Sequence, residues 1–356
     1  MKSHLKTIVG VALSILLLAW VLRDVSAAEV ARELRDADLL LLTLAIALTM
    51  VGFAIRAVRW GVLLRPIDRT IAFRPRFAAV MIGFAANNLL PARVGEFARA
   101  LTLARITPVG IAASFATLVV ERILDGLALV LLLFAAMSTA GFPLVASVGG
   151  LDPRAAARVV AIMMAVVGAA LLLLVISPTR SVKAAEAVVG ALLPVRMRRP
   201  LIAALESFLA GLAVLRSGRL FVVSALLAVG QWLFTALSFL AAFRAFGIDH
   251  VPFAGAVFLQ SFLSIAVAVP SSPGFFGPFE AAARIGLSLW EVEADKAVSF
   301  AVGFHLGGFV PVTVIGLYYM SRLNLSWREV RQSEDVVEER VEEQPAVRAA
   351  IREHEG

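Results

Sequence analysis

Apolar residues run through this chain in long blocks, separated by short clusters of charge. A helix needs about 20 mainly apolar residues to cross a bilayer. Blocks of that kind predict spanning helices at Leu5–Leu22, Leu39–Leu64, Val109–Met137, Ala157–Ile176, Leu220–Phe246 and Ala297–Met320. The first block has a basic start at Lys2 and Lys6 and small residues at Ser26–Ala28, as a secretory signal would. Its length and its ending in Arg23-Asp24 favour a retained anchor.

Two further stretches are apolar but interrupted. Phe77–Arg105 is apolar to Leu90, breaks at Pro91–Gly95 and resumes. Phe253–Leu289 is apolar to Val269, breaks at PSSPGFFGP, Pro270–Pro278, and resumes as FEAAARIGLSL. Pro and Gly interrupt helices and free backbone groups, which protein or water must then satisfy. Pro91 and Gly95 break the first stretch; Pro273, Gly274 and Gly277 break the second. Each stretch is long enough for two half-crossings, and Pro91-x3-Gly95-Glu96 echoes Pro273-x3-Gly277-x2-Glu280. The pattern predicts an all-α integral membrane protein. It has six full transmembrane helices and two oppositely oriented re-entrant helical hairpins, related as an inverted repeat. Reading each interrupted stretch as ordinary spans is the competing assignment.

Composition agrees with a membrane location. The chain has 356 residues, 60% hydrophobic and 17% charged, against about 25% charged in soluble domains; mean hydropathy is +0.89. Cysteine is absent, which excludes disulfides, thiolate metal sites and cysteine nucleophiles. His4, His250, His305 and His354 have no metal-ligand spacing, so no metal is expected. No GxxxxGK[ST] motif occurs, so ATP hydrolysis is not expected, and no cofactor is expected. The net charge of +7 is split among short loops. That distribution suits anionic lipid at a cytoplasmic face and argues against nucleic acid.

Loop charges set an orientation. Arg65, Arg69, Arg74 and Arg76 mark one loop as cytoplasmic, and Arg180 to Arg219 another. The mixed Arg23–Asp38 and the Lys/Arg-poor Ser138–Ala156 read as external. Both termini are then cytoplasmic. The first hairpin enters from the cytoplasm and the second from outside. Residues 1–322 form the membrane domain, and 323–356 a charged cytoplasmic tail, mobile or folded as a solvated helix.

Charges inside apolar runs are the candidate chemistry. Each costs about 2.5–3.5 kcal/mol at bilayer centre. Arg56 and Arg59 either snorkel to the cytoplasmic end of their span or belong to a site. Glu121, Arg122 and Asp125 fall mid-span, with Arg122 and Asp125 at i,i+3 and Glu121 and Asp125 at i,i+4. They form either an internal salt bridge that locks helices or the wall of a polar cavity. Asn87, Asn88, Arg93, Glu96, Arg99 and Glu280 lie near the breaks. Arginine can hold a phosphate bidentately. The asparagines either cap a broken helix or touch substrate. Glu96 either neutralises Arg93 or Arg99 or exchanges protons with a gradient. Gln231 and Gln260 are expected to join helices, and His305 to pack between them.

RAVRW, NNLLPARVGEFARA, the ER-x2-D of Glu121–Asp125, and PSSPGFFGPFE together resemble the lysylphosphatidylglycerol synthase transmembrane region family, whose members are also described as flippase-like. The resemblance covers residues 5–322, and N-x2-LPAR-x-GE-x2-R is its most specific element. It implies a domain that moves lipid across the bilayer. Onto this chain it carries Asn87, Arg93, Glu96, Arg99, Arg122, Asp125 and Glu280. Fused family members add a cytoplasmic synthase, for which the tail after Arg322 is too short. Expected partners are membrane lipids, anionic phospholipid or an isoprenoid-linked lipid, with a second copy or a separate lipid-synthesis enzyme beside them. The expected function is lipid translocation. The rivals are a membrane-embedded transferase acting on a lipid-linked substrate and a non-catalytic scaffold.

Overall fold

The structure, a computed structural model, describes residues 2–90, 94–140, 142–143, 162, 217–267 and 273–333, with side chains from Ala12 onward. Pro91, Arg93 and the expected span Ala157–Ile176, apart from Ile162, lie outside the described residues. The described residues form eleven α-helices and a short 3-10 turn, with no strand among them. In chain order these are α1 (Lys2–Leu22), α2 (Ala27–Asp36), α3 (Leu39–Leu64), α4 (Phe73–Leu89), α5 (Gly95–Ile106) and α6 (Ile111–Met137). Then follow α7 (Gly218–Ala245), α8 (Phe253–Ala266), the turn Pro273–Phe275, α9 (Pro278–Ser288), α10 (Ala294–Arg322) and α11 (Trp327–Arg331). The helices α3, α7 and α10 are long and apolar enough to cross a membrane.

Local chemistry explains the boundaries. Asp38 caps α3 by accepting from the Leu40 and Leu41 amides, and Ser217 caps α7 by accepting from Leu220. At the end of α4, Leu90 turns extended (φ −112, ψ 144), as a residue before proline must to avoid the ring. The second break is left at Gly277, whose φ of +96 suits glycine alone. Pro278 follows at the first helical position of α9, where a missing N–H costs nothing. The segment Arg23–Asp38, read from sequence as an external loop, contains α2. Ser26 caps that helix by accepting from the Glu29 amide.

The broken segments sit on a central pair of helices. The Asp38 amide at the start of α3 donates to the Ala245 carbonyl at the end of α7, at 2.9 Å. Midway, Gly52 lies against Thr235. The two helices are therefore antiparallel. The hairpin α4–α5 follows the end of α3, and α8–α9 follows the end of α7, so the two hairpins start from opposite ends of the pair.

The packing repeats around this pair. α4 packs on α10 as α8 packs on α6; α5 packs on α6 as α9 packs on α10. The contact of α3 with α4 is matched by that of α7 with α8, and that of α6 with α7 by that of α10 with α3. Two apolar cores fill the halves. One gathers Trp60, Leu63, Leu103, Leu118 and Leu124, the other Phe239, Phe243, Phe300, Leu259 and Leu287. Leu40, Leu131, Leu226 and Val314 point outward from the long helices, as lipid-facing side chains do.

Candidate functional site

Close helix crossing builds the first hairpin. A Cβ on Gly95 would stand 2.2 Å from the Gly83 carbonyl oxygen, so only glycine permits this approach of α5 to α4. The Gly95 amide, free at the start of α5, donates to Asn87 Oδ1 at 2.8 Å. Asn87 Nδ2 reaches back to Glu96 Oε2 at 3.5 Å. Asn88, one residue on, donates instead to Thr313 Oγ1 of α10 at 3.0 Å. One amide thus closes the hairpin and the other docks it.

Behind the hairpin lies a buried network of charge. Glu121 of α6 is fully buried. Arg99 of α5 binds it bidentately, Nη1 to Oε1 at 2.8 Å and Nη2 to Oε2 at 3.1 Å. Arg56 of α3 donates through Nη1 to Glu121 Oε1 at 2.7 Å and to Asp125 Oδ2 at 2.8 Å. Arg59 Nη2 stands 2.6 Å from Asp125 Oδ1. This is an ion pair by distance, but it is not aligned along an N–H, and the guanidinium nitrogens of Arg59 have no hydrogen-bond partner among the described residues.

Aromatic rings wall the network. The Trp232 indole N–H donates to Asp125 Oδ1 at 3.1 Å. The Arg99 guanidinium lies 4.6 Å from the Trp60 ring, and that of Arg56 5.5 Å from Phe84 and 5.6 Å from Trp232. Such walls strengthen charge–charge attraction by excluding water, and they hold planar guanidinium groups face-on.

The network opens at Arg122. Its side chain is 40% exposed, and Nη2 lies 3.0 Å from Glu121 Oε1 and 3.5 Å from Asp125 Oδ2. Its Nη1 faces Glu96 at 3.9 Å, a loose pair. Among the described residues Arg56, Arg59, Arg99 and Arg122 outnumber Glu96, Glu121 and Asp125, so one positive charge is left over there. Chemically this is an anion-attracting mouth on a fixed ionic base. Guanidinium stays charged at every accessible pH, so the arginines neither donate nor accept protons in use.

A smaller polar centre lies at the second break. Glu280 Oε2 accepts from the Gly277 amide at 2.6 Å, and Glu280 Oε1 lies 2.7 Å from His305 Nδ1 of α10. The two breaks come near one another along α10. Asn88 binds Thr313 there, and Gly274 lies against Phe309.

The model of the lysylphosphatidylglycerol synthase TM region matches residues 7–316. The chain belongs to this family. It is 33% identical over 131 residues to a UPF0104 membrane protein of Pyrococcus horikoshii, covering 35% of this chain and 37% of that one. It is 27% identical over 117 residues to a UPF0104 membrane protein of Methanothermobacter thermautotrophicus, covering 32% and 35%. A glycosyltransferase AglD of Haloferax volcanii is 27% identical over 345 residues, covering 90% of this chain and 54% of that protein. The chain thus spans between about a third and a half of the length of these relatives.

In this member of the synthase TM region family, the structure gathers Asn87, Glu96, Arg99, Glu121, Arg122 and Asp125 into one constellation. Glu280 stands apart from it. Arg93 lies outside the described residues. Sequence reading offered Arg93 or Arg99 as the partner of Glu96, but Arg99 is taken by Glu121, and Glu96 faces Arg122 and Asn87. Arg56 and Arg59 do not snorkel; they are buried in the network. His305, expected only to pack, pairs with a carboxylate. Gln260 is buried, and neither of its amide atoms has a hydrogen-bond partner among the described residues. Sequence reading missed Trp60 and Trp232, whose indole N–H groups reach Thr117 and Asp125.

Proposed function

We propose that this protein moves a polar or phosphate-bearing lipid between the leaflets of a prokaryotic inner membrane. The observation that carries the reading is the half-exposed Arg122 at the mouth of a buried ionic network, beside the broken hairpin α4–α5. In membrane transporters, paired interrupted helices mark midplane sites for charged groups. Here the antiparallel α3–α7 pair and the matched contacts around it support two re-entrant hairpins related as an inverted repeat.

In this mechanism Arg122 attracts the phosphate and Glu96 balances it when the site is empty. Asn87 holds the hairpin closed. The network of Arg56, Arg59, Arg99, Glu121 and Asp125 keeps the mouth rigid, and acyl chains stay in the bilayer. Arg65, Arg69, Arg74 and Arg76, in and beside the loop joining α3 to α4, support a cytoplasmic placement of that face. Arg105 at the end of α5 pairs with Glu329 beyond α10, which puts both helix ends on the same side.

A transferase acting on a lipid-linked substrate is the second reading, and the glycosyltransferase-named relative favours it. Reconstitution separates the two. Purified protein in liposomes is given a headgroup-labelled anionic phospholipid together with a lipid-linked sugar donor, and the lipids are afterwards identified by mass spectrometry. Exchange of unchanged lipid supports translocation. A covalently altered lipid, with no exchange, supports the transferase.

A further inference from the structure

After α10 the chain folds back on itself. Asn324 takes a left-handed conformation, φ +48, which asparagine tolerates better than most residues. The Leu325 amide returns to the Met320 carbonyl at 3.0 Å. Leu325 and Val330 then bury against Ile82 and Ala86 of α4 and against Val94 and Ala98 of α5. Glu329 meets Arg105 at the end of α5. α11 therefore straps the first hairpin. The strap is slight. Five residues are too few for a helix to persist alone in water. Two apolar side chains and one exposed ion pair are a small hold.

The outer side of α11 shows what completes that hold. Arg328 and Arg331, at i,i+3, share the side turned away from Val330, and Trp327 stands exposed beside them. Arg322, the last residue of α10, is exposed as well. The start of α4 lies at the same end, because Phe77 meets Tyr319 edge-on at 6.1 Å and stacks on Phe73 at 5.5 Å. The loop joining α3 to α4 therefore lies alongside, with Arg65, Arg69 and Arg74 exposed. Among the described residues none of these arginines forms an ion pair. The acids nearby are taken. Asp68 accepts from the Thr70 amide and hydroxyl, and Glu329 is held by Ser326 and Arg105. Phe73, Tyr318 and Trp327 put exposed rings among the charges. Guanidinium groups bind phosphates, and aromatic rings settle at headgroup depth. The combination fits the charged surface of a bilayer better than water.

We propose that anionic lipid headgroups bind this face and clasp α11 onto the first hairpin. The short helix is held between two partners. Apolar side chains of α4 and α5 grip one side, and headgroup phosphates grip Arg328 and Arg331 on the other. Anionic lipid then stiffens the hairpin from outside the ionic network, without touching Arg122. The clasp needs only a charged bilayer surface, and it stands whether or not the protein moves lipid.

Hydrogen exchange of the full chain in lipid nanodiscs tests it. Discs of phosphatidylcholine are compared with discs in which about a third of the lipid is phosphatidylglycerol or, separately, phosphatidylserine. Each arginine near such a surface strengthens binding about fivefold. Protection of residues 325–333 should therefore rise about tenfold in both anionic discs, with α5 moving in the same direction. Added salt should reverse the rise by screening the surface. The double variant Arg328→Gln, Arg331→Gln, in the same discs and so at the same surface pH, should lose most of it. Equal protection in neutral and anionic discs, or an equal rise in the double variant, overturns the proposal. So does a rise in α11 that leaves α5 unchanged. A rise on adding soluble polyglutamate, with none from anionic lipid, would give the face to an acidic protein and overturns it too.

Discussion

Arg99 and Glu121 face each other through two parallel hydrogen bonds, 2.8 and 3.1 Å long, and so tie the first hairpin to the long helix that follows it. Both side chains are buried. The pair is the junction of the site. Arg56 and Arg122 reach the same carboxylate, so Glu121 organises groups from α3, α5 and α6.

Removing one partner from such a junction costs more than the junction contributes, because the other charges stay buried. Glu121→Gln is therefore expected to destabilise the protein by about 3–5 kcal/mol. Thermal unfolding in detergent checks this. Arg99→Lys should also lose stability, since an ammonium cannot match both carboxylate oxygens. Unchanged melting in both variants would mean that the network is not closed as described.

The crossing of α4 and α5 depends on the absence of a side chain at Gly95. The obstacle to a Cβ is the Gly83 carbonyl, which cannot rotate away. Gly95→Ala should cost about 1–3 kcal/mol or more by overpacking. Gly110→Ala, where a Cβ meets nothing within 4 Å, is the control and should melt like the wild type.

The short helix α11 buries Val330 and carries a charged cap at Glu329, which Arg105 also meets. Glu329 is held down to about 2 by hydrogen bonds from the Ser326 amide and hydroxyl and by Arg105. A depressed carboxylate stabilises the cap, and through Arg105 the docking, fully above its ordinary value, near 4.5, and the gain is lost as pH falls toward 2. Trp327 is 41% exposed and reports on this helix. The difference in emission between wild type and Trp327→Phe should stay constant from neutral pH down to about 5 and change below it. Arg105→Ala should move that change upward in pH.

Much of the fold was legible because backbone chemistry leaves marks in sequence. Leu39–Leu64 begins at a capping aspartate and ends before a basic loop, and its limits were read without error. The breaks after Leu90 and before Pro278 were legible from Pro and Gly, which cannot continue a helix with all its hydrogen bonds. Partnership was not legible. Arg56 lies 65 residues from Glu121, and Arg59 joins it from the same helix. The available signal was complementarity: arginines three apart in one apolar run, acids four apart in another. His305 was unreadable for a similar reason. Its carboxylate comes from a different helix, and only packing shows that Phe276 and Phe279 hold its ring.

The central claim concerns Arg122, the exposed end of the network. In proteoliposomes carrying a headgroup-labelled anionic phospholipid, leaflet exchange is followed by quenching with an agent that cannot cross the membrane. The wild type is expected to exchange the lipid. Arg122→Ala should slow it by at least about tenfold, a barrier increase of roughly 1.4 kcal/mol. Its melting should fall less than that of Glu121→Gln, because Glu121 keeps Arg56 and Arg99 as partners. Equal exchange by wild type and Arg122→Ala, with both proteins folded, would contradict the account.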